Sequence, residues 1–338
     1  MDVTNLIQAI LWGLSNGAVF ALVALGYTLV YGIIELINFA HGDLFMLGSF
    51  LSLTLLLQLA YTTNARGRPV QNVHGWSLFL VLLLVLLAAM LFCAVLNMLI
   101  ERLAYRRLRR APRLAPLISA IGVSFILINI GQLWKGNSPR DFPNLLPDVN
   151  ILDEWLGLTD RVTFSTKDLI VIGTAVPLML GLAAFIQKTK LGKAMRATAQ
   201  DREAAALMGI NIDLTITLTF LLGGALAGAA GLIYGLYTTQ VWYLMGFRAG
   251  LIAFTAAVLG GIGNVRGATL GGFLIGLIAS INDLGFAAIF PALQNTPGLS
   301  ALAGIDQKWT LVVIFGLLVL ILVFRPSGLL GEQVVEKA

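Results

Sequence analysis

The chain has 338 residues, of which 58% are hydrophobic and 12% charged, against roughly a quarter charged in an ordinary soluble domain. Its 36 glycines also suit membrane helices, where glycine lets backbones pack closely. The net charge of +5 gathers in two loops, a pattern that fits membrane orientation and argues against nucleic-acid binding. The lone Cys93, inside an apolar run, excludes an internal disulfide and a thiolate metal site.

These features predict an all-α, polytopic bundle of eight or nine transmembrane helices, some of them broken, forming a single membrane domain over 1–338. The first apolar run, 5–37, is too long for a cleavable signal and for one upright span of about 20 residues. It implies a long tilted helix or one with a kinked end. Gly13 and Gly17 form a GxxxG pair on it, which marks a face for close helix contact. A polar break over 35–43 follows, then a second span at 44–59. The loop 60–76, with Arg66, Arg68 and Pro69, leads to a third span at 76–100. The segment 101–113 holds six arginines and reads as cytoplasmic. A fourth span covers 116–134.

The longest polar loop, 135–168, has four basic and six acidic residues and three prolines. Its lack of basic bias places it outside, where it could meet an external partner. A fifth span, 169–187, carries Pro177. The stretch 188–213 then brings five Lys or Arg residues between two apolar runs, so it belongs on the cytoplasmic side. Within it, 202–207 are good helix formers, with Gly209 as a stop and Asn211 just beyond. A short helix held there between two spans suits docking in the cytoplasm. A sixth span, 214–237, has GxxxG pairs at 224/228 and 231/235 and should pack on several sides. A short outer loop includes Trp242, Tyr243 and Arg248 as interface anchors. Two short apolar pieces over 250–283 flank Gly-Gly-Ile-Gly-Asn-Val-Arg-Gly267, which implies broken helices or a tight hairpin. After an outer loop over 282–308, the last span is 309–324, with Arg325-Pro-Ser-Gly inside. This topology places 14 of the 22 Lys and Arg residues inside and 8 outside. The C-terminus is then cytoplasmic and, for nine spans, the N-terminus external.

No catalytic machinery is visible. GxxxxGK[ST] and HExxH are absent, and His41 and His74 are the sole histidines. The expectation is a non-enzyme with no catalytic residue, cofactor or metal site. In the polar break, Glu35, Asn38, His41 and Asp43 fall within nine residues. One reading makes this a water-accessible stretch of a translocation path or a hinge, since ionisable groups at membrane depth mark function. The other is a helix junction, with Asn38 capping the next helix and Asp43 favoured at its positive end. Leu47-Gly-Ser-Phe-Leu51 and Leu270-Gly-Gly-Phe-Leu274 follow the breaks at Asn38 and Asn264. That echo suggests paired broken helices beside a path, as in transporters with internal repeats. The path or hinge residues on this reading are Asn38, His41, Gly42, Asp43, Asn264 and Gly267.

Glu203-Ala-Ala-Ala-Leu-Met-Gly209 fits EAAxxxG and resembles the coupling loop of ABC-importer permeases, although Thr219-Phe220 stands where an Ile-x-Leu-Pro ending is usual. The resemblance implies ATPase docking through Arg202, Glu203, Ala204, Ala205 and Gly209. Gly13-Leu-Ser-Asn-Gly17 through Gly32, Ile37-Asn-Phe-Ala-His-Gly-Asp43 and Met46-Leu-Gly48 resemble the opening of the LivH-type permeases, membrane subunits of bacterial branched-chain amino-acid ABC importers. Phe254 to Ala268 and Arg325-Pro-Ser-Gly-Leu resemble that family too. The similarity covers essentially the whole chain. It implies a location in the bacterial inner membrane, a homologous permease partner, two cytoplasmic ATPase subunits and a periplasmic substrate-binding protein. The alternative within the family is a permease for urea or short amides. A secondary transporter or channel fits less well, because the charges gather in loops rather than pairing within the bundle.

Overall fold

The computed structural model describes residues 3–63, 69–109, 111–112, 114–147, 149–152, 162–289 and 307–331. Arg66, Arg68, Arg113, Lys337, part of the 135–168 loop and most of the 282–308 loop lie outside the described residues. Among the described residues the fold is helical apart from two minimal antiparallel strand pairs and one isolated bridge. In chain order the helices are α1 (Val3–Ile34), α2 (His41–Leu59), α3 (Gly75–Ile100), α4 (Leu114–Lys135), α5 (Thr166–Lys188), α6 (Lys190–Gln200), α7 (Arg202–Leu207), α8 (Ile212–Thr238), α9 (Met245–Gly260), α10 (Val265–Leu284) and α11 (Thr310–Phe324). Eight helices among the described residues are long and apolar enough to cross a membrane, and α9 is a shorter apolar one. The protein is therefore a multi-pass membrane protein.

Several elements differ from the sequence expectation. The first run is one helix of 32 residues, about 48 Å at 1.5 Å per residue. It stops at Ile34 rather than 37, because Glu35 takes a left-handed conformation at φ 55° while its N–H closes the last turn on Tyr31 O. The segment after Ile100 is not a loop at first. It continues α3 through a π-turn, Glu101–Tyr105, in which Arg106 N–H bonds five residues back to Glu101 O, and then a 3-10 turn, Arg106–Leu108. Arg248 belongs to α9 rather than to an outer loop, since the chain turns at 242–245 and helix begins at Met245.

The chain divides into two compact units, 25–146 with 180–251, and 1–24 with 147–179 and 252–338. In the first, α2, α3 and α8 pack along glycine seams. A Cβ on Gly224 or Gly228 would strike the Cys93 or Ala89 carbonyl of α3, and one on Gly231 would strike the Phe45 carbonyl of α2. The GxxxG expectation for this span thus holds on more than one side. A two-residue strand pair joins Arg140–Asp141 to Gln240–Val241 and sets Phe142 against Gly235.

In the second unit, Gly13 and Gly17 of α1 meet α10 at Leu277 and Phe273. Gln8 and Ser15 tie α1 to Thr163 and to the buried Asp168. The expected tight hairpin is α9–α10, turned over 261–264 with Gly261 and Gly263 at positive φ.

Rows of exposed apolar side chains identify the lipid-facing helices. On α3, Phe79, Leu83, Leu87 and Leu91 recur every fourth residue, and α11 exposes Val312, Val319 and Val323. The interior helices are α1, α2 and α8, whose most apolar stretches are 83%, 67% and 72% buried.

Candidate functional site

Two adjoining features of the first unit bring together most residues singled out by sequence. The first is the connector between α5 and α8. Thr189 caps α6, its hydroxyl accepting from Gly192 N–H at 3.0 Å. Gly192, Met195 and Thr198 point inward at every third position, while Lys190, Lys193 and Arg196 lie on the exposed side. Asp201 then breaks the helix in extended conformation and caps α7, its Oδ1 accepting from Glu203 and Ala204 N–H at 2.9 and 3.0 Å.

The faces of α7 differ. Ala205 is buried, and Arg202 turns inward to donate from Nε and Nη2 to Ile33 O at 3.2 and 2.6 Å. That carbonyl belongs to the last turn of α1, where helix geometry leaves acceptors unpaired and the helix dipole favours a cation. Glu203, Ala204, Ala206 and Gly209 are exposed. So are Leu207 and Met208, at 88% and 83%. Gly209 ends the helix at φ 82°, a conformation that costs a non-glycine residue. Asn211 caps α8 through Leu214 N–H at 3.0 Å.

The start of α8 is clasped to the extension of α3. Arg106 pairs with Asp213 at 2.8 Å, and Arg109 pairs with both Asp213 and the fully buried Glu101. Thr217 donates to the other Glu101 oxygen at 2.9 Å. A buried carboxylate with a guanidinium and a hydroxyl is matched, whereas the same group alone would be costly.

The second feature is the break between α1 and α2. Asn38 does not cap α2: the N-cap is Ala40, with no side-chain cap bond. Asn38 instead donates to Asn97 Oδ1 at 3.3 Å and accepts from Tyr105 Oη at 3.1 Å. Asn97 in turn donates to Phe220 O at 2.6 Å. A buried chain of polar groups therefore joins the break to α3, to its π-turn and to α8. Single π-turns within α-helices are frequent at functional sites.

His41 is buried against Tyr27, with ring centroids 4.8 Å apart, and Gly26 leaves the space its imidazole fills. Asp43 sits in the first turn of α2, buried, accepting from the Ser124 hydroxyl of α4. Gly42 lets α2 cross α9, because a Cβ there would enter the Gly246 carbonyl.

Asn264 and Gly267 belong to the second unit. Asn264 caps α10 through Arg266 and Gly267 N–H and donates to Leu330 O at 2.8 Å. Gly267 packs directly on the Gly260 backbone.

Residues 9–322 match the family described as "Branched-chain amino acid transport system / permease component". The chain belongs to this family. The chain is 38% identical over 339 residues to the high-affinity branched-chain amino acid transport system permease protein BraD of Pseudomonas aeruginosa, covering 99% of each chain. It is 35% identical over 332 residues to LivH of Escherichia coli K12, covering 98% of this chain and 97% of that one. LivH of Salmonella typhimurium is 34% identical over 334 residues, with 98% and 97% covered. No solved structure matches the chain.

For a permease component, the residues that sequence reading missed are informative. Asn97 and Tyr105 complete the Asn38 network, Ser124 holds Asp43, and Leu207 and Met208 form the exposed tip of α7. A polar residue inside an apolar run was the available signal for Asn97 and Ser124.

Proposed function

We propose that this chain is the membrane-pathway subunit of a bacterial inner-membrane ABC importer for branched-chain amino acids. The energy comes from ATPase subunits on separate chains, the substrate from a periplasmic binding protein, and the other half of the pathway from a homologous permease. The observation that carries the reading is α7. It is a short helix fixed from behind by Asp201, Arg202 and Ala205, and it presents Glu203, Ala204, Leu207 and Met208 to solvent. Two large apolar side chains on a polar, basic segment mark a protein-docking tip. Glu203 meets a basic rim, Ala204 allows close approach, and Gly209 ends the helix.

Force applied to α7 reaches the end of α1 through Arg202 and Ile33 O, beside the Asn38 network. Asn38, His41, Gly42 and Asp43 form the joint that alternates between states. Asn264 and Gly267 hold the fixed turn of the other unit. Apolar walls with a few polar groups suit an aliphatic amino acid, and selection rests with the binding protein.

The test is ATP-driven uptake of L-leucine by the four-subunit complex with its binding protein in proteoliposomes. Glu203→Lys and Leu207→Asp should each reduce uptake at least about tenfold and release the ATPases on gel filtration. Unchanged uptake in both variants counts against docking through α7. Uptake of urea or short amides in place of leucine would move the substrate assignment.

A further inference from the structure

Beside α7 the first unit holds an open cleft of about 360 Å³, within the range of small-molecule sites, roughly 300–1,000 Å³. It lies where the end of α1 meets Arg109, Ala111 and Pro116 and the α6–α7 junction. We propose that this cleft binds a free α-amino acid with a short aliphatic side chain, so that product accumulating in the cytoplasm restrains the importer. The proposal rests on the reading above for the side of the membrane and the class of substrate.

Three sets of groups in the cleft match the three parts of such a zwitterion. Glu35, Asp201 and Glu203 give carboxylates at its wall, and all three are exposed. With Glu203 taken by the docking contact, Glu35 and Asp201 remain against Arg202, since Arg109 already answers Glu101 and Asp213. The excess negative charge favours an ammonium group.

For the carboxylate there are donors left over. Thr198 is 1% exposed, and its hydroxyl has no hydrogen-bond partner. Arg109 Nε is likewise buried without one, and Arg202 uses Nε and Nη2 on Ile33 O, leaving Nη1. Buried donors without partners are rare in folded proteins and costly. Thr198 and Arg109 line the cleft, so a carboxylate bound there would satisfy these donors after a small shift of the two side chains. Ile33, Ile34, Leu36 and Pro116 supply an apolar wall for the side chain. Because Arg202 and Ile33 form the link from α7 to α1, a ligand there stabilises one arrangement of that link, and coupling to transport follows from its preference for that state.

The experiment is equilibrium dialysis of radiolabelled L-leucine against the purified permease–ATPase complex in nanodiscs without binding protein, with the permease alone in parallel. The expected result is saturable binding, one per permease chain. Competition by 4-methylpentanoate or by 3-methylbutylamine, each lacking one charge, should be at least about tenfold weaker than by leucine. Thr198→Val and Glu35→Gln should each weaken binding about tenfold in complexes that still elute intact.

No saturable binding at millimolar leucine, or binding indifferent to both variants, overturns the proposal. So does binding to the permease alone that vanishes in the complex, which would mean that an ATPase side chain fills the cleft. Uptake into vesicles without luminal leucine tests the transport reading separately. Its failure would remove that reading while dialysis still decides the cleft. If uptake proceeds, luminal leucine should slow it severalfold, and undiminished uptake against saturating luminal leucine overturns the regulatory role.

Discussion

The chain is interrupted after α1 and again after α9, and the two interruptions are built in opposite ways. The turn at 261–264 is closed by backbone. Leu329 and Leu330 N–H bond to Leu259 and Gly260 carbonyls at 2.9 and 3.0 Å, Gly328 packs on Gly261, and Asn264 both caps α10 and holds Leu330. The break at 35–40, beyond its local turn bonds, is held to the neighbouring helices by side chains. Asn38 reaches Asn97 and Tyr105, and just inside α2, His41 meets Tyr27 and Asp43 meets Ser124. A backbone-sealed glycine turn has one good arrangement, because a small displacement produces overlap. Side-chain hydrogen bonds at helix contacts can be exchanged for others of similar energy, which is what a two-state element needs. On the proposed function, the first break would be the movable joint and the second the anchor.

Three substitutions test that contrast. Gly267→Leu should do most damage, since its side chain would start inside the Gly260 backbone. A loss of at least about 3 kcal/mol is expected for such overpacking, visible as loss of a monodisperse peak in size-exclusion chromatography. Asn38→Leu should leave Asn97 and Tyr105 short of a partner. That costs about 1–3 kcal/mol of stability for the buried groups, and leucine uptake per folded complex should fall at least about tenfold. Asn264→Ala should be mildest. Loss of the cap costs about 1 kcal/mol and lowers the thermal midpoint, with uptake per folded complex changing less than about twofold. If Asn264→Ala halts uptake in stable protein while Asn38→Leu does not, the assignment of joint and anchor is reversed.

Much of this architecture can be read from the residues. Apolar runs near 20 residues mark the spans, and the spacing of Gly224, Gly228 and Gly231 marks seams that the structure realises against α2 and α3. The short helix α7 is legible as good helix formers before Gly209. Its orientation is not: which of Arg202, Glu203 and Ala205 face inward depends on the end of α1, about 170 residues earlier. Asn38 shows the same limit. Its place before a helix suggests a cap, but Asn97 and Tyr105 compete for its amide, and that competition is set by tertiary packing. The basic run after Ile100 hid a helical extension, because Arg106 and Arg109 are neutralised by Glu101 and Asp213, the latter from a distant helix.

The most direct test of the central claim is the side and the partner of Met208. Cys93, the single native cysteine, is buried, so Met208→Cys, with a native side chain 83% exposed, offers one reactive thiol. The account predicts no labelling by an impermeant maleimide in intact cells, labelling in inverted membranes stripped of ATPases, and protection once the ATPases are restored. Labelling from outside intact cells, or full labelling with the ATPases bound, would contradict it.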